Sequence, residues 1–225
     1  MMKRSEINKM LLFSHELLEK NNLKLPPFGY WSIKDWKSKR EITEVIRTTM
    51  LGWDITDFGS GKFHEIGAVL FTIRNGLLED KSIGTPYAEK LMCLEDGQRL
   101  PLHYHASKTE DIINRGGGIM WMSLYNSKSD GTVDRQSNVR VFCDGILKEY
   151  SPGERFEVLT GCSVTLAPGL YHTFGAMGSL AAGEVSSVND DKTDNYFAEP
   201  VSRFADIEED EPIIHPLCNE YANIF

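Results

Sequence analysis

Apolar residues recur at helical intervals near the start of the chain. Ile7, Met10, Leu11, Phe13, Leu17 and Leu18 predict one amphipathic helix over residues 4–21, with Ser5 as its N-cap. Pro26, Pro27 and Gly29 forbid its continuation, so residues 22–34 are expected as an extended strap carrying Tyr30 and Trp31. A second short helix is expected within 34–50. From about residue 53 the texture changes. "FHEIGAVLFTIRNG", "YAEKLMCLEDG", "GGIMWMSLYN", "NVRVFCDGILKEY", "ERFEVLTGCSVTLAPG" and "SLAAGEVSSVND" are short runs rich in β-branched and aromatic residues, punctuated by Gly, Asn, Asp or Pro. That rhythm predicts an all-β antiparallel sandwich or barrel rather than alternating βαβ units. The tail is expected as an irregular segment wrapped on the barrel, with its acidic run "DIEEDEP" solvated.

The length, 225 residues, suits one domain with decoration. The expected division is a helical extension and strap over 1–52, a barrel over 53–197 and a packed tail over 198–225. Such a chain buries a core without disulfides. Its four cysteines, Cys93, Cys143, Cys162 and Cys218, lie far apart and are expected as free thiols in a reducing compartment. A net charge of −9 makes nucleic acid and anionic lipid poor partners. No stretch approaches the ~18 apolar residues of a membrane span. The first residues lack a signal-peptide core, so the cytoplasm is the expected location.

The candidate chemistry starts at "PLHYHASKTED", residues 101–111. Side chains alternate faces along a strand, so His103 and His105 point the same way, about 6–7 Å apart. Glu110 joins them only if "ASKT" turns the chain and Glu110 opens the return strand. Asn114 and Gly116, Gly117 and Gly118 then suit a strand that bends or packs closely. "APGLYHTF" offers His172 on a neighbouring strand as a fourth ligand. His15, His64 and His215 have no such setting. Three neutral imidazoles and one carboxylate suit Mn, Fe, Co, Ni or Zn, with no thiolate to select zinc. Six-coordination would leave two positions open to a bidentate ligand such as a hydroxy-carbonyl.

These spacings resemble the cupin superfamily. Gly97, His103, His105, Glu110 and Gly117 fit its first motif, and Gly161, Gly169 and His172 fit its second. Pro168 is displaced by one position, and Ala176 stands where Asn is usual. The wording around the motifs is more specific. "YAEKLMCLEDGQRLPLHYHASKTEDIINRGGG" and "GEVSSVNDDKTDNYF" resemble the D-lyxose ketol-isomerase family, densely over about 87–118 and 161–197. The resemblance implies a cupin-type antiparallel β-barrel (jelly roll) with an N-terminal helical extension. It implies a metal-dependent aldose–ketose isomerase acting on free sugars, D-lyxose/D-xylulose and D-mannose/D-fructose, through a metal-chelated cis-enediol(ate). It implies manganese as the metal, with cobalt, iron, nickel or zinc as alternatives, held by His103, His105, Glu110 and His172. It places Lys90, Lys108, Glu184 and Asp194 along the sugar pocket, whereas Tyr196 stands where a basic residue is usual.

The chemistry of isomerisation assigns roles within that set. One proton moves between C2 and C1, so a sheltered carboxylate of raised pKa is needed, and Glu184 in "LAAGEVSSV" is the candidate. Lys108 is the candidate donor to the developing oxyanion. Among the aromatics Trp53, Trp121, Tyr125 and Phe174, core packing competes with a role against the sugar, and Phe174 is retained as a substrate contact. Two rivals share the fold: a metal-dependent dioxygenase and a non-catalytic sugar-binding cupin. No Arg/Lys cluster or Gly-rich helix start offers a phosphate site, which favours unphosphorylated sugars. Small antiparallel barrels often hide their edges by pairing, so a homodimer is expected.

Overall fold

Two kinds of strand pattern build the molecule, and each follows from what covers the strand. The computed structural model describes residues 2–190, 193–202 and 206–224. Asp191 and Lys192 of the "NDDKTDN" stretch, and positions 203–205 and 225 of the tail, lie outside the described residues. The helices are α1 (Arg4–Lys20), α2 (Ile33–Ser38), α3 (Glu44–Thr48) and α4 (Tyr221–Ile224). The first strands are β1 (Met2–Lys3), β2 (Gly52–Thr56), β3 (Ala68–Gly76), β4 (Gly84–Leu94), β5 (His103–Tyr104) and β6 (Glu110–Ser127). Then come β7 (Val133–Asp134), β8 (Val139–Cys143), β9 (Ile146–Tyr150), β10 (Arg155–Val158) and β11 (Ser163–Leu166). The series ends with β12 (Leu170–Ser187), β13 (Tyr196–Phe197) and β14 (Ile207–Glu208).

The main sheet runs β2-β3-β4-β12-β6-β11-β8-β9, and its pairs are antiparallel. β6 and β12 are each 18 residues long and serve two sheets. The first part of β6 pairs with β11 and the last part with β10; the end of β12 pairs with β4 and its start with β5. This is the cupin-type barrel: two sheets curled around one core and joined by bent strands. The bend falls at Gly116 and Gly117, whose φ values are +146° and +88°. The β12 register shifts opposite them, between Met177 and Leu180. A Cβ on Gly117 would lie 2.3 Å from the Ser179 carbonyl oxygen, so glycine is required there.

Inside the barrel, Leu70, Met92, Ile112, Met120, Met122 and Phe174 form one core. On the outer face of the same sheet, α1 lays Ile7, Met10, Leu11, Leu17 and Leu18 over Val69, Phe71, Leu91 and Cys93. β3 is therefore covered on both sides, which is why "AVLF" reads as an unbroken apolar run. β8 has no such cover and alternates buried and exposed. All four cysteines are free, three of them buried and Cys162 partly so.

Several expectations need correction. Lys3, not Ser5, is the N-cap of α1, and it makes no side-chain cap bond. The "DIEEDEP" run is not merely solvated but docks on that helix end. Asp210 accepts the Ser5 backbone N–H (2.8 Å) and hydroxyl (2.7 Å), and Glu209 and Glu220 bind the fully buried Arg4. Carboxylates belong there because the first-turn N–H groups lack partners and the dipole is positive. Residues 34–50 form α2, a 3₁₀ turn at Arg40–Ile42 and α3 rather than one helix. The strap over 22–34 also holds a 3₁₀ turn, at Pro27–Tyr30. His64 sits in a turn before β3.

α1, strap and tail meet at His15. Its Nε2 lies 3.3 Å from His215 Nε2, and its ring stacks on Tyr30. His215 Nδ1 donates to the Trp31 carbonyl, so His15 is the donor between the two rings. Burial, then the His215 charge, pushes His15 down to about 4 from 6.5. The unfolded chain takes up that proton below pH 6.5 and the folded chain does not. Stability is therefore present above that pH and is lost as pH falls through the folded value. The loss is about 1–2 kcal/mol once screening at this half-buried ring is allowed for. Thermal melts between pH 7 and 4 should fall less steeply for His15→Phe; equal slopes would refute the assignment.

Candidate metal centre and sugar site

The "ASKT" segment turns the chain between β5 and β6, and Asp194 shapes that turn. Its carboxylate accepts the backbone N–H groups of Ala106, Ser107 and Lys108 at 2.8, 3.0 and 2.9 Å. Glu110 consequently opens β6 on the inner face. His172 on β12 is the register partner of His103 on β5. The ring centroids of His103, His105 and His172 lie 4.2–5.7 Å apart, and their ligand atoms all lie within 4.8 Å of one another.

Each imidazole is oriented from behind. Nδ1 of His103 donates to the Pro101 carbonyl, that of His105 to the Asp194 carbonyl and that of His172 to the Leu170 carbonyl. Nδ1 thus carries the proton and leaves the Nε2 lone pair facing the cavity, as a metal ligand requires. Burial, followed by the charges of His172 and His105, holds His103 well below the ordinary imidazole range, so it is neutral. Glu110 Oε1 and His172 Nε2 are buried 3.1 Å apart, yet neither has a hydrogen-bond partner. Orphaned buried acceptors cost about 1–3 kcal/mol each. Here they converge, so the donor set fits a divalent cation of the nitrogen- and oxygen-binding class.

Beside the nest lies a buried charge chain. Lys108 Nζ contacts Glu110 Oε2 at 2.7 Å and Glu184 Oε1 at 2.9 Å, and Lys90 Nζ lies 3.4 Å from Glu184 Oε1. Burial drives Lys108 towards neutrality, but Glu110 and Glu184 outweigh it and hold the ammonium above the usual lysine range. Burial pushes Glu110 up, yet the Lys108 charge pulls it well below the carboxylate range. Glu184 differs from expectation. Burial raises it, but Lys108 and then Lys90 bring the net value below the ordinary range, so the carboxylate is ionised and available as a base.

His103, His105, Glu110 and His172 line one cavity with Lys90, Lys108, Glu184 and Phe174. The Asp194 side chain is not in that wall, being occupied by the turn. Trp53 is also elsewhere, beneath the strap, where its indole donates to the Gly29 carbonyl. Trp121 carries Arg155 at 3.9 Å on its ring, and Tyr125 packs its hydroxyl against Gly153. Asn189, Asn195 and Phe197 line the cavity, and the sequence pattern did not single them out. Asn189 accepts from Lys90 Nζ at 2.6 Å and Lys108 Nζ at 3.4 Å, while the Asn75 amide clasps its backbone from both sides. No spacing rule marks an asparagine in an irregular loop, so only the contact reveals it.

Fold and site together define a cupin-type barrel with a buried three-histidine, one-glutamate nest. Comparison with known proteins narrows that class. The D-lyxose isomerase family model matches residues 2–221. A D-lyxose/D-mannose isomerase of Escherichia coli O157:H7 is 42% identical over 98% of both chains. Another so named, from Serratia proteamaculans, is 40% identical over 98% of both. The chain belongs to the D-lyxose isomerase family and is a sugar isomerase of the D-lyxose/D-mannose type. L-ribose isomerases share the fold at low identity. That of Acinetobacter sp. DL28, in complex with L-ribose, superposes with a TM-score of 0.59 at 14% identity, covering 92% of this chain and 98% of its own. That of Geodermatophilus obscurus gives 0.54 at 16%, with the same coverage.

Proposed function

We propose that the protein is a metal-dependent aldose–ketose isomerase of free sugars, interconverting D-lyxose with D-xylulose and D-mannose with D-fructose. His103, His105, Glu110 and His172 would hold the divalent metal, manganese first. The observation that carries this reading is the pair of orphaned buried atoms, Glu110 Oε1 and His172 Nε2, beside the Lys108–Glu184 ion pair. When bound, the ion would polarise the sugar carbonyl and favour charge on adjacent oxygens. The chain's own residues do the rest. Glu184, already ionised, takes the proton from C2 of the aldose and returns it to C1, passing through a cis-enediolate. Lys108, fully charged, donates to the oxygen that gains negative charge. Lys90 holds Glu184 from the other side, Asn189 holds both lysines, and Phe174 supplies an apolar wall. The six charged or amide groups on this face suit a polyol better than the apolar substrate of a dioxygenase. We also place the protein in the cytoplasm as a homodimer, which size-exclusion chromatography with light scattering tests.

The direct experiment incubates manganese-loaded protein with D-lyxose, D-mannose and D-fructose 6-phosphate and follows the isomeric product. Turnover of the two free sugars is expected, abolished by a chelator and restored by manganese. Turnover of the phosphorylated sugar alone would overturn the substrate class. Oxygen uptake without any isomer formed would point to the dioxygenase.

A further inference from the structure

A second, larger hollow adjoins the catalytic cavity. The catalytic cavity encloses about 50 Å³. Its neighbour encloses about 520 Å³, within the ~300–1,000 Å³ range of small-molecule sites.

The two lie side by side along one face of the barrel sheet. Asp54 pairs across β2–β3 with Leu70, and Thr72 pairs across β3–β4 with Lys90. Asp54 and Thr72 line the larger hollow, whereas Leu70 and Lys90 line the smaller. Asn189 lines both and forms their shared wall. The larger hollow therefore adjoins the site, with Asn189 between it and the lysines.

Its chemistry is that of a polyol receptor. Thr72 and Asn75 supply a buried hydroxyl and a buried amide, Thr193 a hydroxyl at the rim, and Asp54 and Asp190 carboxylates. Among the described lining residues there is no Lys, Arg or His. Carboxylates accept hydroxyl protons and repel phosphate, and threonine and asparagine both give and accept. We propose that this chamber binds the substrate sugar as its closed, uncharged ring before the open chain reaches the catalytic cavity, and that its acidic lining turns phosphorylated sugars away. The proposal rests on the isomerase reading. Pentoses and hexoses in water are mainly cyclic, so the ring is the form that arrives first.

The test uses manganese-loaded full-length protein and methyl α-D-mannopyranoside, whose ring cannot open and which cannot turn over. Calorimetric titration should show saturable binding. Thr193→Trp, which fills the rim, and Asp54→Asn should each weaken it by about fivefold or more, as expected for lost space or one lost hydrogen bond to a charged group. D-mannose 6-phosphate should bind more weakly than the glycoside to wild type, and that gap should narrow in Asp54→Asn. Circular dichroism and manganese content check folding, and Thr193→Trp, at the exposed rim, keeps the test open if Asp54→Asn fails to fold. The chamber is refuted if wild type does not bind the glycoside, or if both variants bind it as wild type does. Tighter binding of the phosphorylated sugar would refute it too. D-lyxose turnover without glycoside binding removes the chamber and leaves the isomerase. Glycoside binding at this chamber without turnover of any sugar does the reverse.

Discussion

Glu184→Gln is expected to fold, to retain manganese and to lose isomerase turnover by about 10²–10⁴-fold, the usual contribution of a positioned base. The substitution keeps the shape of the side chain, so the wall of the cavity is unchanged. It removes the only feature the proposed step needs, a carboxylate that accepts a proton from carbon. In the wild type that carboxylate is buried, 5% exposed, and still ionised because two ammonium groups face it. Glutamine offers those lysines an amide oxygen but no basic site. The loss should lie in kcat, because the sugar-facing lysines remain. Metal content measured on the same sample separates a chemical defect from a broken nest. Wild-type turnover in this variant would remove Glu184 from the mechanism.

Lys108→Met should damage both stability and activity. Among the described residues Lys108 is the one cation shared by Glu110 and Glu184, and all three side chains are less than 10% exposed. Removing one partner from a buried ion group leaves uncompensated charge, which costs about 3–5 kcal/mol. Methionine fills the volume, so packing is not the cause of the loss. Two buried carboxylates then share the cavity without Lys108 between them, and Glu184 should take up a proton more readily and cease to act as a base. A bound divalent cation would neutralise part of the charge on Glu110. The melting temperature should therefore fall further in chelated protein than in manganese-loaded protein. Turnover of the manganese-loaded protein should drop by at least about 10²-fold, since both the oxyanion donor and the base are affected. An unchanged melting temperature together with full activity would show that the Lys108 chain is dispensable.

The clustered histidines were legible because local periodicity sets them. His103 and His105 share a face by the two-residue repeat of an extended chain, and His172 follows a Pro-Gly turn that starts a strand. Other features were opaque. Asp194 looked like a sugar contact because it is a charged residue in a polar loop, yet three backbone N–H groups 86–88 residues away occupy its carboxylate. The acidic run near residue 210 looked solvated because nothing local shows that the start of α1 lies against it. Asn75 and Asn189 carry no pattern at all, and their roles exist only across a separation of 114 residues.

The sequence by itself determined the all-β architecture and the helical extension, and it singled out the three histidines that the fold gathers. These are properties of alternation, turn chemistry and donor type within short windows. The tertiary structure alone decided the ionisation of Glu184, the sharing of Lys108, the orphaned atoms of the nest and the chamber beyond Asn189. Charge state and cavity shape depend on distances between strands that meet only after the chain has folded. An electrostatic field acts through space, so no reading along the chain determines it.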